Sequence, residues 1–239
     1  MITDGPSQTR VDEIAAGIYR ISTPVAVVPG GFSFNRYLVV DDAPLLFHTG
    51  PRGMFPLVRD AIASVVPVER LRYVGFSHFE NDECGALNHL LAVAPQAVPV
   101  CGRINALVNS DAFDRLPRAL GDGEELSLGH RAVRWIDTPH LPHAWECGYL
   151  FETGTRTLLC GDLFTQPGNG ETALTSGDVL GPSEKLRASL DYYAHSRDTR
   201  GLLERLAKEA PATLACMHGS AFAGDGAALL RALADRVGV

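Results

Sequence analysis

The chain has 239 residues, 46% hydrophobic and 21% charged, with a net charge of −7. That balance excludes disorder, coiled coil and collagen, and five scattered cysteines without a CxxC pair exclude a disulfide scaffold. The acidic surplus speaks against nucleic acid or an anionic membrane as partner, and no apolar run reaches the roughly 18 residues of a bilayer span. The start MITDGPSQTR lacks the apolar core of a secretory signal, so a cytoplasmic location is expected.

In chain order, short β-rich segments bounded by turn residues come first: Ile18–Ser22, Val25–Val28, Phe34–Val40 and Leu45–His48. Helical spacing follows over Phe55–Val65, then a buried strand over Leu71–Phe76, a helix over Gly85–Val93, an extended Ala97–Cys101 and a brief helix at Ile104–Asn109. Beyond the turn Gly121-Asp122-Gly123, strands are predicted at Ala132–Asp137, Gly148–Glu152 and Thr157–Leu159. Gln166–Pro182 has no periodicity and reads as a long loop. Helices Ser183–His195 and Leu202–Glu209, a strand Thr213–Met217 and a helix Ala227–Val237 complete the chain. The halves share a strand-then-helix order, so an α/β (α+β) fold is expected. It is read as one domain over residues 1–239, with sheets inside and helices outside.

Chemistry concentrates at four strand ends. Ser77-His78-Phe79-Glu80-Asn81-Asp82-Glu83-Cys84 lies where a strand gives way to a helix. If it stays extended, His78, Glu80 and Asp82 project to one side, one imidazole and two carboxylates suited to a metal. The plainer reading has Asp82 capping the helix, Glu83 facing its dipole and His78 in the core. Three later features favour the metal: Pro139-His140-Leu141-Pro142-His143-Ala144-Trp145 in a stiff loop, the strand ending Cys160-Gly161-Asp162, and the strand ending Cys216-Met217-His218-Gly219.

The order and local sequence of these segments resemble the metallo-β-lactamase superfamily, a four-layer αββα sandwich, over nearly the whole chain. Its usual H-x-H-x-D-H reads here H-x-E-x-D-E, and Glu in place of the second His resembles the flavodiiron (oxygen-binding diiron) branch. The resemblance implies His78, Glu80 and His143 on one metal, Asp82 and His218 on a second, and Asp162 bridging them. Added carboxylate favours a harder ion, so two iron ions are expected, with zinc as the alternative.

Two positions depart from the pattern. Glu83 stands where the family has His; it ligates the second metal, hydrogen-bonds a metal-bound water or merely starts the helix, and it is the candidate proton donor. His48 stands where Asp is common, as an outer partner of a ligand or as a strand end. His140 competes with His143 and is expected outside the ligand set. Trp145 reads as core more readily than as a wall of the site, and Cys84, Cys160 and Cys216 as small filler beneath it. Only 21 residues follow His218, too few for the flavodoxin domain of that branch, so no FMN is expected here.

Three functions follow from the resemblance. The first is binding or reduction of O2, NO or peroxide with electrons from a separate donor protein. The others are metal-dependent hydrolysis of a lactone, thioester or phosphoester, and non-enzymatic O2 or redox sensing. A homodimer is left open.

Overall fold

The computed structural model describes residues 1–26 and 28–237. The first sheet has eight strands in sequence order: β1 (Ile2–Asp4), β2 (Thr9–Ala15), β3 (Ile18–Val25), β4 (Phe32–Val39), β5 (Leu45–Phe47), β6 (Tyr73–Gly75), β7 (Val98–Gly102) and β8 (Arg118–Leu120). The second comprises β9 (Glu125–Ser127), β10 (Ala132–Asp137), β11 (Gly148–Glu152), β12 (Thr157–Leu159), β13 (Leu174–Thr175), β14 (Thr213–Ala215) and β15 (Ala221–Ala223), in the order β13-β15-β14-β12-β11-β10-β9. In each sheet hairpins give way to parallel pairs, β5 with β6 and β12 with β14. Parallel neighbours need crossover helices, and these supply the outer layers.

The helices are α1 (Phe55–Ala63), α2 (Asn81–Cys84), α3 (Leu87–Val93), α4 (Arg103–Asn109), α5 (Leu180–Leu190), α6 (Thr199–Lys208) and α7 (Gly226–Val237). Three apolar cores separate the layers. Val58, Ile62, Leu87 and Leu90 of α1 and α3 pack on Ile21, Leu38 and Val74 of the first sheet. Leu203, Leu206, Leu230 and Leu233 of α6 and α7 pack on Tyr149, Phe151, Leu158 and Leu214 of the second. Between the sheets, Ile18, Tyr37 and Phe47 meet Val133, Trp135 and Leu150. The arrangement is the expected αββα sandwich, each sheet burying both faces.

Several expectations change in detail. The segment predicted over 25–28 is not a separate strand: Val25 ends β3, Ala26 and Val28 lie in bends, and Val27 falls outside the described residues. Residues 166–182 are not wholly loop, since they contain β13 and the first turn of α5, and that helix stops at Leu190, not His195. Asp191 takes a left-handed φ of 47° there, which ends a helix. The edge strands β1, β8, β9 and β13, and β15 beside the last of them, have two or three residues each, too short for alternation to register.

Trp135 is fully buried in the central layer, with its indole N–H donating to Asp137 Oδ1 at 2.6 Å. Trp135→Ala is expected to lower unfolding free energy by about 3–5 kcal/mol, read as a lower denaturant midpoint.

Candidate metal centre

One rim of the sandwich gathers the strand ends. His78 and Glu80 follow β6, Asp82 and Glu83 lie in α2, His143 is in the β10–β11 loop, Asp162 follows β12 and His218 follows β14. Contacts between the sheets fix this rim. From β4, the Asn35 side-chain amide donates to the carbonyls of Cys216 (2.9 Å) and Gly219 (2.8 Å), and the Tyr37 hydroxyl to that of Cys216 at 2.6 Å. In the other direction the Gly148 N–H donates to the Ser77 carbonyl at 3.0 Å.

The extended run expected to Asp82 ends sooner. Residues 77–79 bend, Glu80 is extended (φ −139°, ψ 161°), and α2 begins at Asn81. Strand alternation therefore does not aim Asp82; the first turn of α2 does. At the later segments, Gly161 (φ 49°) and Gly219 (φ 86°) take left-handed turns that re-aim the chain beside Asp162 and His218. A Cβ on Gly161 would meet the Tyr149 ring at 2.8 Å, so glycine is needed for space as well as for φ.

The donor atoms form two adjoining groups. His78 Nε2 and His143 Nε2 are 3.0 Å apart, and each is 3.1 Å from Glu80 Oε2. Asp162 Oδ2 lies 3.7 and 3.6 Å from the same nitrogens, while its Oδ1 is 3.2 Å from His218 Nε2. Asp82 Oδ2 completes the second group at 3.4 Å from His218 Nε2. Asp162 thus faces both groups, one oxygen to each. All six residues singled out as ligands are brought together here.

Each imidazole is oriented from behind. His143 Nδ1 donates to the Tyr192 carbonyl at 3.0 Å and His218 Nδ1 to the Ser33 carbonyl at 2.9 Å, which leaves Nε2 as the atom presented to the centre. Phe32 stacks on His218 with centroids 4.4 Å apart. Behind His78, Ser77 Oγ is 3.0 Å from His78 Nδ1 and 3.0 Å from His48 Nε2. His48 is therefore an outer partner acting through Ser77, and burial drives its pKa down to about 3, keeping the ring neutral.

His140 is exposed and outside the cluster, its N–H donating to the Ala144 carbonyl at 2.8 Å. Trp145 belongs neither to the core nor to the site wall. It is 55% exposed, beside Ile104 and Pro139, because the left-handed Ala144 (φ 61°) turns it outward. Cys160 and Cys216 lie in the apolar core, and the Cys84 thiol donates to the Glu80 carbonyl at 3.2 Å. Ser77, Phe32 and Tyr192 escaped the sequence reading. Ser77 adjoins His78 and could have been found from that; the other two are distant in sequence and carry no signal.

The electrostatics show what the donors lack. Hydrogen bonds from His143 and His78 lower the Glu80 pKa to about 2. His218 is raised to about 9: burial opposes its charge, but hydrogen bonds to Asp162 and Asp82 prevail. Burial pushes Asp162 up, yet the hydrogen bond from His218 and the neighbouring imidazoles hold it below the carboxylate range. Burial and the Asp162 charge push Glu83 well up. Neither Glu83 oxygen has a hydrogen-bond partner. Carboxylate oxygens and imidazole nitrogens gathered at one buried point suit first-row divalent cations. His78, Glu80 and His143 present donor atoms within 4.8 Å of one another, a span that one ion can bridge. The residues present fit two such ions.

Fold and rim together define a metallo-β-lactamase-type sandwich whose donor cluster is rich in carboxylate. The chain belongs to the family described as "ODP family beta lactamase", whose profile matches residues 32–219. Among curated relatives, the rubredoxin-oxygen oxidoreductase of Megalodesulfovibrio gigas is 28% identical over 82% of this chain and 50% of its own length. The nitric oxide reductase of Moorella thermoacetica is 25% identical over 69% of this chain and 41% of its own. The chain spans about half the length, or less, of these relatives. The solved flavodiiron protein from Giardia intestinalis superposes with a TM-score of 0.82 at 20% identity, covering 96% of this chain and 59% of that one. A 1–254 fragment of a diflavin flavoprotein from Nostoc gives 0.79 at 19% identity, covering 95% and 94%. These superpositions establish the flavodiiron-type metallo-β-lactamase core as the fold.

Removing the support behind His78 should weaken cation binding without unfolding the protein. Ser77→Ala is expected to lower affinity for a first-row divalent cation about 10–100-fold, measured by chelator competition, with the far-UV circular dichroism unchanged.

Proposed function

We propose that residues 1–239 act as one dinuclear iron unit that binds or reduces O2 or NO with electrons from a separate donor protein, in the cytoplasm. His78, Glu80 and His143 would hold one ion, Asp82 and His218 the other, and Asp162 both. The observation that carries this reading is the place of Glu80. Its Oε2 is shared between two imidazoles at 3.1 Å, so a carboxylate occupies a corner where an imidazole would favour zinc. The names of the relatives, an oxygen oxidoreductase and a nitric oxide reductase, support the same chemistry.

When bound, a diiron pair supplies two metal-centred electrons and open coordination for a small ligand. The chain does the rest. Phe32, Leu190 and Tyr192 wall a cavity of about 180 Å³ that opens on Glu80, Asp82, Asp162 and His218. That volume admits small molecules, and Phe32, Leu190 and Tyr192 give it one apolar side. Tyr192 serves twice: its carbonyl holds the His143 ring, and its ring borders the opening. No helix of the described residues is long and apolar enough to cross a membrane.

Protein from iron-replete cells, purified anaerobically, is expected to contain about two iron atoms per chain and, with a chemical reductant, to consume O2 or NO. About two zinc and no iron would count against the proposal. So would fast ester hydrolysis by the same protein, abolished by Asp162→Ala, which would move the chain to the hydrolase reading. The pH dependence has a definite sign. With His218 raised to about 9, a proton competes with the cation at pH 7, so affinity should increase with pH until about 9 and then level off. Chelator competition between pH 6.5 and 9.5 measures it.

A further inference from the structure

Glu83 is a buried acid of the rim left out of the six-residue ligand set. Its side chain is fully buried, and neither oxygen meets a hydrogen-bond donor. Among the described residues its single ion-pair approach is to His78 Nε2, at 3.9 Å. Its backbone is fixed from outside, since the Thr49 N–H donates to the Glu83 carbonyl at 2.7 Å and the Thr49 hydroxyl at 3.3 Å. The side chain is therefore held inward. Its donor atom lies within 4.8 Å of those of His78 and Asp162, and likewise of those of Glu80 and Asp82. A helix-starting glutamate would point to solvent, as the first turn of a surface helix allows. This one is placed among donor atoms from both groups.

An unpaired carboxylate beside two others in a water-excluded space is unfavourable unless a cation joins them. Glu83 has a donor atom within 4.8 Å of those of Asp82 and Asp162, and its addition to the position of Asp82, Asp162 and His218 would give three carboxylates and one imidazole. Oxygen-rich donor sets favour iron and manganese relative to zinc, whereas an imidazole here would not. We propose that Glu83 is a ligand of the second ion and biases that position toward an oxygen-preferring metal. This rests on the dinuclear reading above and adds to it a residue and a metal preference. The competing role, proton donor to a bound ligand, needs Glu83 near the ions but not bound to them.

The test is metal binding by the full chain, stripped by chelation and titrated anaerobically with Fe2+, Mn2+ or Zn2+, for the wild type and for Glu83→Gln and Glu83→His. The wild type is expected to bind two ions. Glu83→Gln should keep the first and bind the second at least tenfold more weakly. Glu83→His should recover two ions and shift the Mn2+-to-Zn2+ affinity ratio at least tenfold toward zinc. Metal-free Glu83→Gln should melt no lower than the metal-free wild type, because neither Glu83 oxygen has a hydrogen-bond partner for the substitution to remove; a merely structural glutamate would predict a lower midpoint. Two ions bound by Glu83→Gln with wild-type affinity and preference would overturn the assignment, leaving the dinuclear reading intact. A wild type that binds no pair would overturn both. Should the amide variant not fold, Glu83→His decides: an unchanged Mn2+-to-Zn2+ ratio overturns the proposal and a shift toward zinc supports it.

Discussion

Everything at the rim depends on docking the two sheets in one register. Asn35 holds that register. Its side-chain amide reaches from β4 to two carbonyls flanking His218, and a backbone bond from its own N–H to the Met217 carbonyl (2.8 Å) runs beside it. Without that seam, His218 and the Ser33 carbonyl behind it would belong to separate sheets. The apolar layer around Trp135 supplies much of the attraction between the sheets but no direction. The buried amide supplies the direction, because a displaced Asn35 would leave carbonyls without donors.

A second constraint is charge. Glu80, Asp82, Glu83 and Asp162 converge where Glu83 and Asp162 are almost out of contact with water. The protein tolerates this because each imidazole is turned toward the acids by a carbonyl or hydroxyl behind it, His143 by Tyr192, His218 by Ser33 and His78 by Ser77. Left-handed residues at the rim, His48 (φ 67°), Ala144 (φ 61°) and Phe164 (φ 59°), are conformations the sandwich holds against their intrinsic preference.

The long elements could be read from residue pattern. β10, β11 and β12 have the bounds that alternation and turn residues suggest, and α7 is displaced by a single residue. Pattern fails where tertiary contacts decide. The two-residue β13 exists because β15 pairs with it, and Trp145 faces solvent because of one backbone angle at Ala144. At the rim, residue types at strand ends pointed to a metal and the family resemblance implied the six donors that converge, yet the expected reason for Asp82 was wrong: α2, not an extended run, aims it. Outer partners such as Ser33 and Tyr192 act through backbone carbonyls, and a carbonyl has no residue identity to read.

The donors are scattered from His78 to His218, with the β4 seam still earlier in the chain. No short segment holds the six-donor set, so an ion pair held by it would not nucleate folding as zinc does in a small zinc finger. The chain must first pair strands across long loops, a slow kind of assembly. Until it does, the buried acids are solvated and their repulsion is screened. On the dinuclear proposal, metal capture would be the closing event of maturation, and the route by which a cation reaches the rim would have to exist in the already folded sandwich.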